Sequence, residues 1–279
     1  MADLTLDGKR AHYHDGGLAW KAGQPWLVLV HGAGCTHVTW QPQSRALAHA
    51  GYNVLVPDLP GHGDSEDLAS VKTVEDYAAW LRRLLEALAR QTGLPAEPLV
   101  LVGHSLGACI AVSYAATWPA GVAGLALVGA SLEMKVNPGL LKDCLDNQPR
   151  AVAFITSFGH GRMTHLGSAG TAPGAWVLGA DRALMLASRP EVLQRDFAVC
   201  AAWQGQAQAP QVACPTLVVS GALDRMTPAK AGRQLAESIP AARYELLPGV
   251  GHMLPSEAPR ALLRALQRFL AELPKTRAA

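Results

Sequence analysis

No C-x-x-C pair, no extended basic run and no long apolar stretch occurs in this chain, and each absence removes a class of function. The five cysteines (Cys35, Cys109, Cys144, Cys200 and Cys214) are odd in number and far apart. That argues against a disulfide framework and against a cysteine zinc site. Lysine and arginine are scattered, no basic run exceeds a pair such as Arg82-Arg83, and the formal net charge is only +2. Nothing there suits a nucleic-acid backbone or an acidic partner. No apolar stretch approaches the ~20 residues that span a bilayer, so no membrane partner is expected. The segment Met1 to Gly8 carries an early acid and lacks the apolar centre of a secretory signal. With unpaired thiols, the expectation is a cytoplasmic protein. There is no internal repeat.

What is present is enough apolar residue for one large core: 49% of 279 residues. Leu4-Thr5-Leu6 and Arg10 to His14 flank Asp7-Gly8, a hairpin signal. Short apolar runs follow at Trp26 to Val30, Asn53 to Val56, Leu99 to Val102, Gly124 to Val128 and Thr216 to Val219, with Tyr244 to Leu247 half-alternating. Runs of this kind suit parallel strands buried on both faces. Helical patterns lie between them. Thr73 can cap a helix that ends near Gly93, a second pattern runs from Ser105 to Thr117, and a third from about Glu257 to Leu273. The fold class is therefore α/β, a mostly parallel, doubly wound sheet.

The alternation breaks once. Residues 132–210 hold no convincing strand but four helical pieces: Gly139 to Asn147, Ala151 to Phe158, Trp176 to Ala187 and Glu191 to Trp203. They read as a helical lid inserted in a core made of residues 1–131 and 211–279, with the Gly- and Ala-rich stretch Gly167 to Gly174 as its expected hinge. The tail Lys275 to Ala279 is expected to fray.

Gly103-His104-Ser105-Leu106-Gly107 sits between the run Leu99 to Val102 and a helix. A serine on so tight a strand-to-helix turn presents its hydroxyl, and the helix aims its first N–H groups at negative charge developing in acyl transfer. A serine hydroxyl needs a base, and His252 in a Gly-rich loop after the last strand supplies one. Asp224, at the end of its strand, can orient that imidazole; its plainer role is to cap the helix after Thr227-Pro228. Glu133, after the preceding strand, is the rival acid. The amides of Leu106 and Ala33 are the expected oxyanion donors, with Gly34 as the alternative to Ala33. Trp176, Met226 and Met253 are candidates for an apolar pocket wall, ordinary core packing being the plainer reading. Arg150, Arg162, Arg182, Arg189 and Arg195 can grip a carboxylate, although solvated helix faces explain them as well. His160 and His165 fall in the lid, lining the pocket or exposed. His12 and His14 share one strand face with no third ligand near in sequence, so a surface pair is expected and no metal.

Four motifs resemble those of the α/β-hydrolase fold superfamily, in its order and over essentially the whole chain. They are His31-Gly32-Ala33-Gly34, Asp58-x-x-Gly61-x-Gly63-x-Ser65, the Gly103 to Gly107 elbow, and the pair of loops Ser220 to Asp224 and Gly249 to His252. The resemblance implies a serine hydrolase with the triad Ser105, Asp224 and His252, acting without a cofactor on a small-molecule carboxylic ester, thioester or lactone. A serine at the elbow sets the chain apart from the similar haloalkane dehalogenases and epoxide hydrolases, which use aspartate there. Carbon–carbon bond hydrolases of ring-cleavage products are the nearest alternative. They typically carry H-G-x-G-P and an aromatic after the histidine, where this chain has Cys35 and Met253. Relatives that only bind ligands usually lose a triad member, and this chain keeps all three.

Overall fold

The structure, a computed structural model, describes residues 2–166 and 176–274. The stretch Gly167 to Gly174, expected as a hinge, and the tail Lys275 to Ala279, expected to fray, lie outside the described residues. Eight strands form one sheet: β1 (Ala2–Leu6), β2 (Lys9–His14), β3 (Trp26–Val30), β4 (Asn53–Pro57), β5 (Leu99–His104), β6 (Val122–Val128), β7 (Thr216–Gly221) and β8 (Ala242–Leu247). Their spatial order is β1-β2-β4-β3-β5-β6-β7-β8. The hairpin β1–β2 is antiparallel and joins β4 antiparallel, while every other pair is parallel. Asp7 and Gly8 both take positive φ, which closes a two-residue hairpin turn matched to the strand twist.

Helices α1 (Gln41–His49), α2 (Val74–Thr92) and α3 (Leu106–Thr117) follow β3, β4 and β5. Between β6 and β7 the chain forms α4 (Pro138–Asp146), α5 (Gln148–Gly159), α6 (Arg162–His165), α7 (Val177–Leu186) and α8 (Pro190–Ala202). Helices α9 (Ala229–Ser238), α10 (Leu254–Glu257) and α11 (Pro259–Glu272) complete it. The expected helix from about Glu257 to Leu273 is α11, with Pro259 in its first turn, and the short α10 precedes it. The ring of Pro259 disfavours helical geometry in the residue before it, and Ala258 sits at φ −134°. None of the described helices is long and apolar enough to cross a membrane.

Strand residues alternate between two cores. Val28, Val30, Leu99, Leu101, Leu125 and Leu127 face the layer with α2, α3 and α9. Leu27, Leu29, Val100, Val102, Ala126 and Val128 face α1 and α11. Burial on both faces is why these strands read as unbroken apolar runs. Helix α2 carries the expected cap as a full capping box: Thr73 Oγ1 accepts from Asp76 N–H, and Asp76 returns the bond to Thr73 N–H. The chain runs from β3 outward to β4 and then back across to β5. A crevice therefore opens at the carboxyl ends of β3 and β5, where ligands bind in sheets of this kind.

Candidate active site

Ser105 stands at that crevice, between β5 and α3, with φ +54° and ψ −117°. A non-glycine residue there costs on the order of 1–3 kcal/mol, so its surroundings must impose it. They do so through backbone. Ser105 N–H donates to Val128 O at 2.9 Å. A Cβ on Gly103 would lie 2.2 Å from Gly107 O, and one on Gly107 would lie 2.3 Å from Val30 O. Only glycine lets strand, turn and helix close this far.

Ser105 Oγ is 3.0 Å from His252 Nε2, and His252 Nδ1 is 2.8 Å from Asp224 Oδ2. All three residues are buried. Burial alone would push the Asp224 carboxyl up. The facing His252 ring and the N–H and hydroxyl of Thr227 outweigh it and hold the group below its ordinary value. An ionised Asp224 only accepts, so His252 Nδ1 carries the proton and Nε2 turns its lone pair to the serine. Asp224 also serves the plainer role: Oδ1 accepts from Met226 N–H at 2.8 Å and Thr227 N–H at 2.9 Å just before α9. Each oxygen has its own task. Glu133 is exposed and paired with Gln206 Nε2 at 2.5 Å; both line the cavity at Ser105, but Glu133 is not bonded to His252.

The turn after β3 is held from several directions. His31 Nδ1 donates to Gly32 O at 2.9 Å, and its Nε2 accepts from Leu59 N–H at 3.1 Å. Burial, with the neighbouring His62, lowers the His31 pKa to about 4 and keeps the ring neutral. Gly34 N–H donates to Asp196 Oδ2 at 2.8 Å, so that amide is occupied. Ala33 N–H has no hydrogen-bond partner among the described residues. Leu106 opens α3, where an N–H has no intrahelical acceptor.

Asp196, in α8, is a fully buried junction. Besides Gly34 it accepts from Tyr77 OH at 2.9 Å and faces His62 Nε2 at 2.7 Å. Burial would lower His62, but the Asp196 charge and hydrogen bond raise it above its ordinary value. His62 Nδ1 faces Pro60 O at 3.2 Å, so both ring nitrogens meet acceptors, an arrangement that favours the protonated ring. Glu257 does comparable work for the histidine loop. It accepts from Gly251 N–H at 3.2 Å and Met253 N–H at 3.0 Å, and on the other side from Gly161 N–H and Thr164 Oγ1, both at 2.7 Å.

A cavity of about 1090 Å³ opens at Ser105 and His252, with Met134, Leu140, Phe154, Phe158, Phe197 and Met226 on its apolar side and Glu133, Lys135, Arg225 and Lys230 on its charged side. Met226 is therefore where the sequence suggests. Met253 is not, because its side chain packs into the core beneath the loop. Trp176 is 59% exposed and does not line the cavity; its ring lies over the first turn of α7, 2.2 Å from where a Gly179 Cβ would be. Phe154 and Phe158, one turn apart in α5, complete the wall, and their i, i+4 spacing is the signal the sequence offers for them. The five arginines also stay outside this wall. Arg195 holds Asp67 at 2.6 Å and Pro60 O at 2.7 Å, and Arg189 holds Gly61 O at 3.1 Å. His160 is buried against Asp181 at 2.8 Å, and His165 is exposed. His12 is a correction: it is 7% exposed and not a surface residue, because β2 is paired on both sides.

The chain is similar to (E)-2-((N-methylformamido)methylene)succinate hydrolase of Acinetobacter baylyi, 25% identical over 97% of this chain and 98% of that protein. It is 37% identical, over 43% of this chain and 40% of the relative, to 2-hydroxy-6-oxononadienedioate/2-hydroxy-6-oxononatrienedioate hydrolase of Paraburkholderia phymatum. The enol-lactonase structure from Burkholderia xenovorans shares the fold, with a TM-score of 0.84 at 24% identity, over 97% of this chain and 100% of that one. Residues 27–265 match the alpha/beta hydrolase family, and the chain belongs to it.

Proposed function

We propose that the protein is a serine hydrolase that cleaves a carboxylic ester, or a related thioester or lactone, of a small to medium, fairly apolar substrate through an acyl-enzyme. The observation that carries this reading is the continuous line from Asp224 through His252 to Ser105 at the wall of a large cavity with one apolar side. His252 Nε2 takes the Ser105 proton as Oγ attacks the substrate carbonyl carbon, and Asp224 stabilises the imidazolium. The tetrahedral oxyanion is received by the N–H groups of Leu106 and Ala33, donors already placed before reaction. Collapse expels the alcohol, thiol or ring oxygen with the proton from His252 and leaves acyl-Ser105. Water, activated by His252, then releases the acid. Helices α4–α8 act as the lid that excludes bulk water and shapes the acyl pocket. The volume favours a medium-sized substrate.

The name of the Paraburkholderia relative supports a second reading, hydrolysis of a carbon–carbon bond in a ring-cleavage product. A panel of p-nitrophenyl esters, lactones and ring-cleavage dienones, run beside labelling with a serine-directed phosphonate, decides among the possibilities. Ester or lactone turnover with labelling of Ser105 supports the proposal. Turnover of the dienones alone moves the assignment to carbon–carbon cleavage. Absence of labelling points to a ligand-binding relative.

A further inference from the structure

The Asp58-x-x-Gly-x-Gly-x-Ser turn takes no part in the reaction above, yet it closes around a group of ligand-type side chains. His12 in β2, His37 in the turn after β3 and Asp58 directly after β4 each present one ligand atom, all within 4.8 Å of one another. Backbone pairing fixes that convergence. Tyr13 pairs with Pro57 across β2 and β4, and Asp58 N–H donates to His12 O at 3.0 Å. Gly63, at φ +49°, lets the turn fold over the carboxylate, since a Cβ there would lie 2.2 Å from Asp58 Oδ2.

The His12 ring is the telling feature. Its Nδ1 is 2.7 Å from Asp3 Oδ1, so Nδ1–H donates and Nε2 is left as a lone pair. That Nε2 is buried and has no hydrogen-bond partner among the described residues. Leaving such an atom unpaired costs about 1–3 kcal/mol, and folded proteins keep few of them. A carboxylate on one ring nitrogen, with the other aimed at a common point, is how metal-binding histidines are oriented. His37 Nδ1–H donates to the Asp58 carboxylate, 3.0 Å from both oxygens, and a metal ion would take the place of that proton and release it to solvent; the ring plane is held by stacking with His14 at 5.9 Å and 3°. Ligand atoms on a tetrahedral zinc with bonds of about 2.0–2.2 Å are about 3.4 Å apart. His37 and Asp58 thus stand near chelating separation, and contraction of the set from within 4.8 Å by at most about 1.4 Å closes the site. Asp64 Oδ2, 3.9 Å from His12 Nε2 on a largely exposed side chain, marks the solvent side and offers a fourth ligand.

We propose that His12, His37 and Asp58 form a binding site for a divalent transition metal of zinc type, with Asp3 orienting His12 from behind. Two imidazoles and a carboxylate suit Zn²⁺ better than Mg²⁺ or Ca²⁺, which take oxygen ligands. The full chain, stripped with chelator and exchanged into chelator-free buffer at neutral pH, is titrated calorimetrically with Zn²⁺ alone. Co²⁺ then serves as the optical reporter of nitrogen and oxygen ligation. One Zn²⁺ per chain is expected at micromolar or tighter Kd, with a rise in Tm. Affinity should fall at least about 100-fold in His12→Asn and about 10–100-fold in Asp3→Asn, an exposed carboxylate whose loss spares the fold. Circular dichroism checks each variant; if His12→Asn does not fold, Asp3→Asn and the wild-type stoichiometry decide. Absence of stoichiometric binding by the wild type overturns the proposal, as does binding undiminished in the folded variants.

Discussion

The elbow and the two loops that face it are held in different ways. Ser105 is fixed by core backbone alone: strand β5, the glycine contacts with Val30 and Gly107, and the bond to Val128 O. The turn at Ala33 and the loop at His252 are instead pinned by buried carboxylates that also grip the helices between β6 and β7. Asp196 reaches from α8 to Gly34, and Glu257 ties Gly251 and Met253 to Gly161 and Thr164. Under the proposed mechanism the nucleophile is therefore set by the sheet, whereas the turn that receives the oxyanion and the loop that carries the base are tied to the helical segment. Backbone packing of the first kind tolerates little variation, and side-chain tethers of the second kind can be altered one at a time.

The largest effect should come from the sheet side. Under the proposed mechanism, Ser105→Ala lowers kcat by about 10⁴ or more. The lost hydroxyl makes one hydrogen bond in the cavity wall, so stability should move by no more than about 1 kcal/mol. Steady-state kinetics and a thermal melt on the same preparation check both halves. A folded variant with near wild-type turnover removes Ser105 from the chemistry.

Next in size is Asp224→Asn, expected to cost about 10⁴ in kcat because an amide in place of the carboxylate favours the wrong His252 tautomer. Glu133→Gln should leave kcat near wild type, since that carboxylate, although it lines the cavity, bonds Gln206 and not His252. The reverse ranking would assign the acid to the strand before.

Asp196→Asn probes the tether. The substitution removes the charge facing His62 while keeping an acceptor for Gly34 N–H or Tyr77. Breaking a buried pair of this kind costs about 3–5 kcal/mol of stability. Loosening one oxyanion donor lowers kcat by up to about 10²–10³. KM should stay close to wild type, because the oxyanion exists only in the transition state. Unfolding in denaturant and a kcat against KM comparison separate the two consequences. A folded variant with unaltered kcat would show that the Gly34 turn holds without α8.

The same contrast explains what could be read from the chain. The elbow is five consecutive residues between an apolar run and a helix, and the acid and base loops follow their strands, so short-range signals suffice for each. The tethers escape such reading: Asp196 and Gly34 are 162 residues apart, and Glu257 and Gly161 are 96 apart. No local pattern marks a carboxylate that will be buried at such a distance. Pocket walls fail for a related reason. Met226 and Met253 look alike in sequence, but only the direction of each side chain decides which faces the cavity and which the core. Helices α1 and α9 are not legible in the sequence, because each is short and carries a single large apolar residue, Leu47 and Leu235, too few to set a helical period.

The smallest effect, and the sharpest test of the comparison, is its pH dependence. In the elbow, burial and the nearby His252 lower the His104 pKa to about 3, and His31 beside the oxyanion turn sits at about 4. Below the unfolded value of about 6.5, the unfolded chain takes up protons that these folded rings refuse. Stability from them is full above about pH 6.5 and drains as pH falls toward 4. In the tethers the sign reverses. His62 and His160 are raised, burial being outweighed by Asp196 and Asp181, so their contribution is full below the unfolded pKa and is lost as pH rises through the folded one. A neutral ring has one N–H, yet each of these rings faces two acceptors: Asp196 and Pro60 O for His62, and Asp181 and Thr156 O for His160. Deprotonation therefore opens one bond in each tether, a loss of about 1 kcal/mol apiece. Hydrogen exchange between mildly acidic and mildly alkaline pH, corrected for the intrinsic rate, should show protection falling in α5, α7 and α8 while β3, β5 and α3 keep theirs. Equal loss in the sheet and the helices would mean that the two regions open as one unit, and the division between a fixed nucleophile and tethered partners would fail.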